Sequence, residues 1–288
     1  STSSMDSSTL ASGMSSRRLR PFRHVTFTLG FAISLLLILT AALSLVYTPV
    51  DPLQMSLVDR LQSPSAAHWL GTDQYGRDLL SRIMAGAVTS IAVGVIAVGI
   101  GMGVGVLLGM LSGYFGGWLD EGFMRLMDAV QGFPAILSAL LITAVTSPGI
   151  TISMVAIGVA FTPIFARLTR GSFLELRERE FVLAARALGA GDAALILRHI
   201  LPNTLAPLTV QATISFPVAI LAEAGLSYLG LGTQPPHPSW GLMLKEAQSF
   251  LSLNPSFALF PGGAIAVTVL GLNLLGDGLR DLLDPRAR

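Results

Sequence analysis

Side chains that could act as acids, bases, nucleophiles or metal ligands are scarce in this chain of 288 residues. Charged residues make up 12%, and the absence of cysteine excludes disulfides, iron–sulfur clusters and thiolate metal sites. The four histidines, His24, His68, His199 and His237, are too scattered to form a metal cluster. No G-x-x-x-x-G-K followed by Ser or Thr occurs, and Lys245 is the only lysine. We therefore predict no catalytic residue, no metal site and no cofactor on this chain.

The composition is typical of a membrane protein. Hydrophobic residues make up 52% of the chain, and its charged fraction is far below the roughly 25% of soluble domains. Several apolar runs reach the roughly 20 residues that cross a bilayer core. We predict an all-α integral membrane fold with six transmembrane helices, over residues 25–47, 84–111, 126–146, 150–169, 204–226 and 257–276.

Charged residues are nearly absent from these predicted spans. Asp128 lies about one turn inside the third span, and Glu223 lies near the far end of the fifth. A charge at the middle of a membrane costs roughly 2.5–3.5 kcal/mol on insertion scales, and proton-driven pumps retain such charges for their function. Two isolated carboxylates form no acid–base relay. The sequence therefore indicates that any energy source lies on another molecule.

The positive charges predict an orientation in the membrane. Four arginines precede the first span, one follows the second, six lie in or beside the loop after the fourth, and three follow the sixth. Only four lysines or arginines lie in the segments that would face the other side, 48–83 and 227–256. Since cytoplasmic loops carry the excess of such residues, both termini are predicted to be cytoplasmic.

This pattern also predicts a division of the chain. Residues 1–24 are predicted to be a disordered cytoplasmic tail, because their first part is rich in serine and has no periodicity. Residues 25–83 would hold the first transmembrane helix and an external segment. Residues 84–288 would form the main transmembrane domain, with a cytoplasmic loop at about 170–203.

Small residues and proline predict how the helices pack. Gly101, Gly105, Gly109 and Gly113 recur every fourth residue in the second span. Glycines with this spacing share one helix face and allow a second backbone to approach closely. Pro134 is predicted to bend its own span.

The loop at about 170–203 is too long to be a simple link, since most helix connections run about 2–8 residues. Its composition predicts an amphipathic helix over 175–188 that ends at Gly189. Asp192 is predicted to cap a second helix, 193–201, and Pro202 to mark the return to the membrane.

The loop is therefore predicted to form a helix–turn–helix elbow with small residues at its tip and arginines on its flanks. Its tip residues are Ala187, Gly189, Ala190 and Gly191. Such a tip fits a groove on another protein; the alternative interpretation is an ordinary solvated loop.

The loop resembles the EAA loop of ABC-importer permeases, in which E-A-A is followed by three residues, a glycine, nine residues and I-x-L-P. The residues that match at this spacing are Ala184, Ala185, Gly189, Leu201 and Pro202. Leu183 stands where the family has glutamate, and His199 stands where it has isoleucine.

Four further motifs extend the resemblance over nearly the whole chain from about residue 25. They are HWLGTDQYGRDLLSR (68–82), GYFGGWLDEGFMRLMDAVQGFP (113–134), LAEAGLSYLGLGTQPPHPSWG (221–241) and NLLGDGLRDLLDPR (273–286). In this order they resemble the second, C-type permease subunit of the oligopeptide/dipeptide (peptide/nickel) transport subfamily. The resemblance implies the type I ABC-importer permease fold.

The resemblance also implies a function. The chain would be a non-enzymatic permease subunit of the bacterial inner membrane, forming half of a translocation path for di- or oligopeptides or related small solutes. Its partners would be the lipid bilayer, a homologous second permease, two ABC ATPase subunits that bind ATP and Mg²⁺, and an extracytoplasmic binding protein. No nucleic-acid partner is expected.

The resemblance implies two groups of site residues. Those of the ATPase-coupling loop are Ala184, Ala185, Arg186, Ala187, Gly189, Ala190, Gly191, Asp192 and Pro202. Those of an external gate or cap motif are His68, Gly71, Asp73, Gly76, Arg77 and Asp78. For the second group we favour a structural cap over direct contact with substrate. Substrate-binding residues are not identified.

Two other classes of function remain as alternatives. An ATP-independent carrier or channel would require a buried ion site, and an intramembrane enzyme would require polar catalytic residues clustered at one depth. The sequence indicates neither.

Overall fold

The computed structural model describes residues 20–283, and this part of the chain is built from helices. They are α1 (Arg20–Ser44), α2 (Leu79–Phe115), α3 (Gly117–Gln131), α4 (Ala135–Val145), α5 (Ile150–Leu176), α6 (Glu180–Ala187), α7 (Asp192–Tyr228), α8 (Trp240–Ala247) and α9 (Ser256–Leu283). The predicted tail lies outside the described residues except for 20–24.

Five helices, α1, α2, α5, α7 and α9, are long and apolar enough to cross a membrane. The pair α3 and α4 would make a sixth span, bent by 82° at its break. The prediction of an all-α membrane fold is confirmed. The predicted bend at Pro134 is confirmed: the span predicted over 126–146 is divided there, because Pro134 cannot donate a backbone hydrogen bond and restricts the residue before it.

The spans also extend further than their apolar runs. α2 has 37 residues, about 55 Å at 1.5 Å per residue, and begins at Leu79, before the predicted boundary at residue 84. Asp78 caps it by accepting a hydrogen bond from the Ser81 backbone N–H at 2.8 Å. Gly116, with φ of +68°, ends it. These capping interactions lie outside the hydrophobic pattern that predicted the span.

The glycine stripe of α2 lies against α5. A Cβ atom at Gly105 would lie 2.7 Å from the carbonyl oxygen of Thr162, and one at Gly113 would lie 2.8 Å from that of Arg170. Gly101 and Gly109 contact the same helix. The predicted close packing is confirmed, and it joins α2 and α5 along most of their length.

The segment between α5 and α7, with the first turns of α7, forms the elbow, which we define as residues 177–200. α6 is shorter than the predicted helix over 175–188, because α5 first continues to Leu176. The turn after α6 is closed by Gly189 at φ of +89°. The N–H of Ala190 donates to the carbonyl of Ala185 at 3.1 Å, the bond typical of a glycine-terminated helix.

α7 then runs without a break from Asp192 into the membrane. The predicted short helix over 193–201 and the return at Pro202 are therefore wrong, since Pro202 lies within α7. The reason is a π-helical stretch, Leu195–Ile200, in which the backbone N–H of a residue bonds to the carbonyl five positions before it. The wider turn accommodates Pro202, which has no N–H to donate.

Candidate functional sites at the two ends of the helix bundle

The elbow is fixed by an apolar core on one side and is exposed on the other. Its core, the elbow cluster, consists of Tyr114, Phe173, Val182, Leu195, Ile196 and Ile200, all buried. Val182 is the buried residue of α6, whereas Leu183 on the same helix is 46% exposed. α6 therefore presents one face to the bundle and the other away from it.

The tip of the elbow is open. No atom lies within 4 Å of a Cβ built on Gly189 or Gly191, and Leu188 between the two helices is 89% exposed. Ala184, Arg186, Ala187 and Asp192 are also exposed, while Ala185 and Ala190 are partly buried. The structure brings these predicted coupling residues together around one tip, and it leaves Pro202 on α7 beyond the π-helical stretch.

Asp192 does not cap a helix as predicted. The N-cap position of α7 is Gly191, and it makes no side-chain hydrogen bond. The carboxylate of Asp192 instead accepts a hydrogen bond from the Tyr114 hydroxyl, with an O···O distance of 2.5 Å. Arg186 Nη2 donates to the same hydroxyl at 3.5 Å. Sequence reasoning missed this arrangement, because 78 residues separate Tyr114 from Asp192.

At the opposite end of α2, a charged cluster is buried. We define it as Asp73, Arg77, Arg82 and Glu246. Asp73 accepts from Arg77 Nε at 2.6 Å and also from Arg82 Nη1. Glu246 accepts from Arg77 Nη2 at 3.0 Å and from Arg82 Nη1 at 2.8 Å. The two positive and two negative charges of the cluster therefore cancel, and the side chains of Asp73 and Arg82 are at most 1% exposed.

The glycines of the predicted cap motif shape the turn that carries this cluster. Gly71 and Gly76 have φ of +84° and +71°, which L-residues rarely adopt. A Cβ at Gly71 would also meet the carbonyl oxygen of Gln62. The turn is closed by Asp73, whose Oδ1 accepts from the backbone N–H groups of Tyr75 at 2.8 Å and Arg77 at 3.0 Å.

His68 and Asp78 complete the motif. Asp78 is 2% exposed and accepts from Ser81 Oγ at 2.8 Å as well as from the backbone at the start of α2. Its other oxygen lies 3.0 Å from His68 Nδ1. All six predicted cap residues thus lie in one folded segment next to the charged cluster, and their role as a cap stays a prediction.

Arg82 and Glu246 also belong to this site, although neither was among the site residues predicted from the sequence. Arg82 lies within the motif over 68–82, so the sequence contained the pattern that could have identified it. Glu246 lies on α8, 164 residues from Arg82, and no local pattern connects the two.

Within residues 20–283, no group of three or more His, Cys, Asp or Glu side chains is arranged to hold a metal ion. What the geometry offers is a long helix pair in the membrane, a buried charged cluster at one end and an exposed, small-residue tip at the other.

The sequence and the fold identify the class. Residues 105–288 match the family described as the inner membrane component of binding-protein-dependent transport systems, and the chain belongs to that family. A chain of the MetNI methionine ABC transporter in an inward-facing conformation has a similar fold, with a TM-score of 0.57 and 20% identity over 72% of this chain and 96% of that one.

Curated relatives are closer in sequence. The dipeptide transport system permease protein DppC of Alkalihalophilus pseudofirmus is 46% identical over 80% of this chain and 76% of its own length. The glutathione transport system permease protein GsiD of Pectobacterium atrosepticum is 43% identical over 92% of this chain and 88% of its own length. GsiD of Escherichia coli O157:H7 is 44% identical over 93% of this chain and 89% of its own length. The protein is therefore a multi-pass inner membrane permease subunit of a binding-protein-dependent ABC importer.

Proposed function

We propose that this permease forms half of a translocation path for di- or oligopeptides, or for related small solutes such as glutathione, in a bacterial inner membrane. The support is the similarity to permeases named for dipeptide and glutathione transport. The class of solute is inferred from those relatives.

The proposal includes an orientation with the elbow and both termini in the cytoplasm. The arginines support it, since they are concentrated before and at the start of α1, at the end of α5 and in the elbow, and at the end of α9 and beyond it. The division of the chain into a tail (1–24), a first helix with an external segment (25–83) and a main domain (84–288) follows from the same orientation.

The observation that carries the proposal is the elbow tip. Leu188 is 89% exposed beside two glycines with open space around them, while the other face of the elbow is anchored by a buried apolar cluster. Exposed apolar residues grouped on a rigid support are typical of a docking surface. We assign this tip to the ABC ATPase, and ATP and Mg²⁺ to that partner.

The position of Leu183 belongs to the same surface. It stands where the family pattern has glutamate, and its side chain lies on the exposed face of α6, 46% exposed. An apolar residue there enlarges the docking surface instead of anchoring the elbow to the bundle.

A second, homologous permease would cover the apolar faces of α4 and α7. Ile136 and Leu141 on α4 and Val218 and Leu221 on α7 are between 47% and 59% exposed. Ile136 and Leu221 also line a groove that is almost entirely apolar. Two homologous halves with one ATPase under each elbow would form the complete importer, to which a binding protein delivers the solute. The charged cluster would stabilise the segment that caps the external mouth.

The test is purification of the affinity-tagged chain from native membranes in mild detergent, followed by mass spectrometry of what accompanies it. We expect a second permease, ATPase subunits and a binding protein. Recovery of the chain alone or as a homo-oligomer, active in liposomes without ATP, would overturn the proposal in favour of a carrier.

A further inference from the structure

Tyr114 lies in the last turn of α2, and its hydroxyl group lies between the two arms of the elbow. It donates to Asp192, which follows the tip, at 2.5 Å. It accepts from Arg186, which precedes the tip on α6, at 3.5 Å. One side chain of α2 therefore contacts both arms on either side of Gly189.

The tyrosine ring is held rigidly. Tyr114 is 9% exposed within the elbow cluster, among buried residues of α5 and α7 such as Phe173 and Leu195. Its ring also packs edge-on against Phe115, with centroids 5.1 Å apart. Asp192 and Arg186, by contrast, are exposed. The hydroxyl is thus a fixed point to which two otherwise solvent-facing side chains are attached.

α2 connects this point to the other end of the molecule. It is one continuous helix of 37 residues from the Asp78 cap to Phe115, and Arg82 of the charged cluster lies in its first turns. Its glycine stripe packs it closely against the backbone of α5. A displacement of the elbow that reached Tyr114 would act on a helix about 55 Å long that is braced in this way.

We propose that Tyr114, Asp192 and Arg186 form a clasp that transmits the motion of the docked elbow into α2. This inference rests on the proposed docking of an ATPase at the tip. The three are positioning residues: none is assigned to substrate or nucleotide. The clasp also supplies polar anchoring that Leu183 cannot supply, since leucine has no polar side-chain atom.

The first test replaces Tyr114 by phenylalanine in the complete importer complex, reconstituted in liposomes. This change removes the hydroxyl and keeps the ring that fills the elbow cluster. The matched control is Tyr47→Phe, at an exposed residue beyond the end of α1. We measure ATP hydrolysis and solute uptake in the same preparation and compare uptake per ATP hydrolysed.

For Tyr114→Phe we expect complex assembly and ATP hydrolysis to persist while uptake per ATP falls by at least about 5-fold, the lower end of typical coupling between sites. A merely structural role would lower the amount of complex, and hydrolysis and uptake would fall together. Uptake per ATP equal to that of Tyr47→Phe would overturn the inference.

The second variant, Asp192→Ala, removes the acceptor of the Tyr114 hydroxyl at an exposed residue and tests the clasp without altering the buried cluster. Since both substitutions disrupt the same hydrogen bond, the double variant should lose no more coupling than Tyr114→Phe alone. Losses that multiply would overturn the clasp. The wild-type complex tests the proposed function separately: uptake that does not require ATP there would refute ATPase coupling itself, whatever the variants do.

Discussion

At the residue scale, the elbow tip offers two glycines that separate the effect of bulk from that of backbone strain. Gly189 has φ of +89°, so any side chain there is strained. Gly191 has φ of −73°, which every residue adopts, and open space around it. Substitution of Gly191 by a residue with a large side chain therefore changes the docking surface and leaves the fold of the elbow intact.

We expect Gly191→Trp to weaken ATPase binding by about 2 kcal/mol or more, the effect of disrupting an interface hot spot. The control Gly189→Ala adds strain of about 1–2 kcal/mol without filling a groove, and it should retain binding. The measurement is the amount of ATPase retained on the tagged permease, together with uptake. Wild-type retention by Gly191→Trp would refute docking through the tip.

A second residue-scale prediction concerns the buried charged cluster. Arg82→Met leaves Asp73 and Glu246 with one guanidinium instead of two, so we expect a loss of about 3–5 kcal/mol in the free energy of unfolding. Thermal unfolding in detergent measures it, and the exposed Arg60→Met is the control. Adding Glu246→Gln to Arg82→Met should restore part of the loss, because it removes the surplus negative charge. Equal stability of Arg82→Met and Arg60→Met would contradict the account.

At the scale of elements, the packing of α2 on α5 provides a matched pair within one helix. Gly105→Val places two methyl groups against the α5 backbone, and overpacking of this kind costs about 1–3 kcal/mol. Gly103→Val lies on the exposed face with no atom within 4 Å of its Cβ. We expect the first to lower the yield and thermal stability of folded protein and the second to leave both near wild type. Equal behaviour would mean that the stripe does not determine the packing.

The elements also show what hydrophobic patterns can predict. Apolar runs of about 20 residues identified every long span, because a bilayer core requires that length. They did not give the ends of α2, which depend on the Asp78 cap and on Gly116, nor the full break at Pro134. They also gave a boundary at Pro202 where none exists, because a π-helical stretch accommodates the proline within α7.

At the scale of the whole molecule, local features of the two sites were predictable and long-range contacts were not. The coupling loop and the external cap motif were each recognisable as a short sequence pattern, and the structure brings the residues of each close together. Their long-range contacts, Arg82 with Glu246 and Tyr114 with Asp192, were not predictable, because tertiary packing alone brings together residues 164 and 78 positions apart.

The orientation of the whole molecule is testable because the chain has no cysteine. Single cysteines can be introduced at Asp51 and Ala187, which are both exposed, and the permease has no native cysteine that would also be labelled. In spheroplasts, a membrane-impermeant maleimide should label Asp51→Cys directly and Ala187→Cys only after permeabilisation. Labelling of Ala187→Cys in intact spheroplasts would place the elbow outside and contradict the proposed orientation.

Whether this permease serves an ATP-driven importer is decided by uptake into liposomes that contain the complex purified with it. Labelled dipeptide and glutathione, with the binding protein outside, would be compared with ATP or a non-hydrolysable analogue inside. We expect uptake of at least one of these solutes, and we expect it to require both hydrolysable ATP and the binding protein. Uptake that proceeds equally without ATP, or with this chain alone, would contradict this expectation.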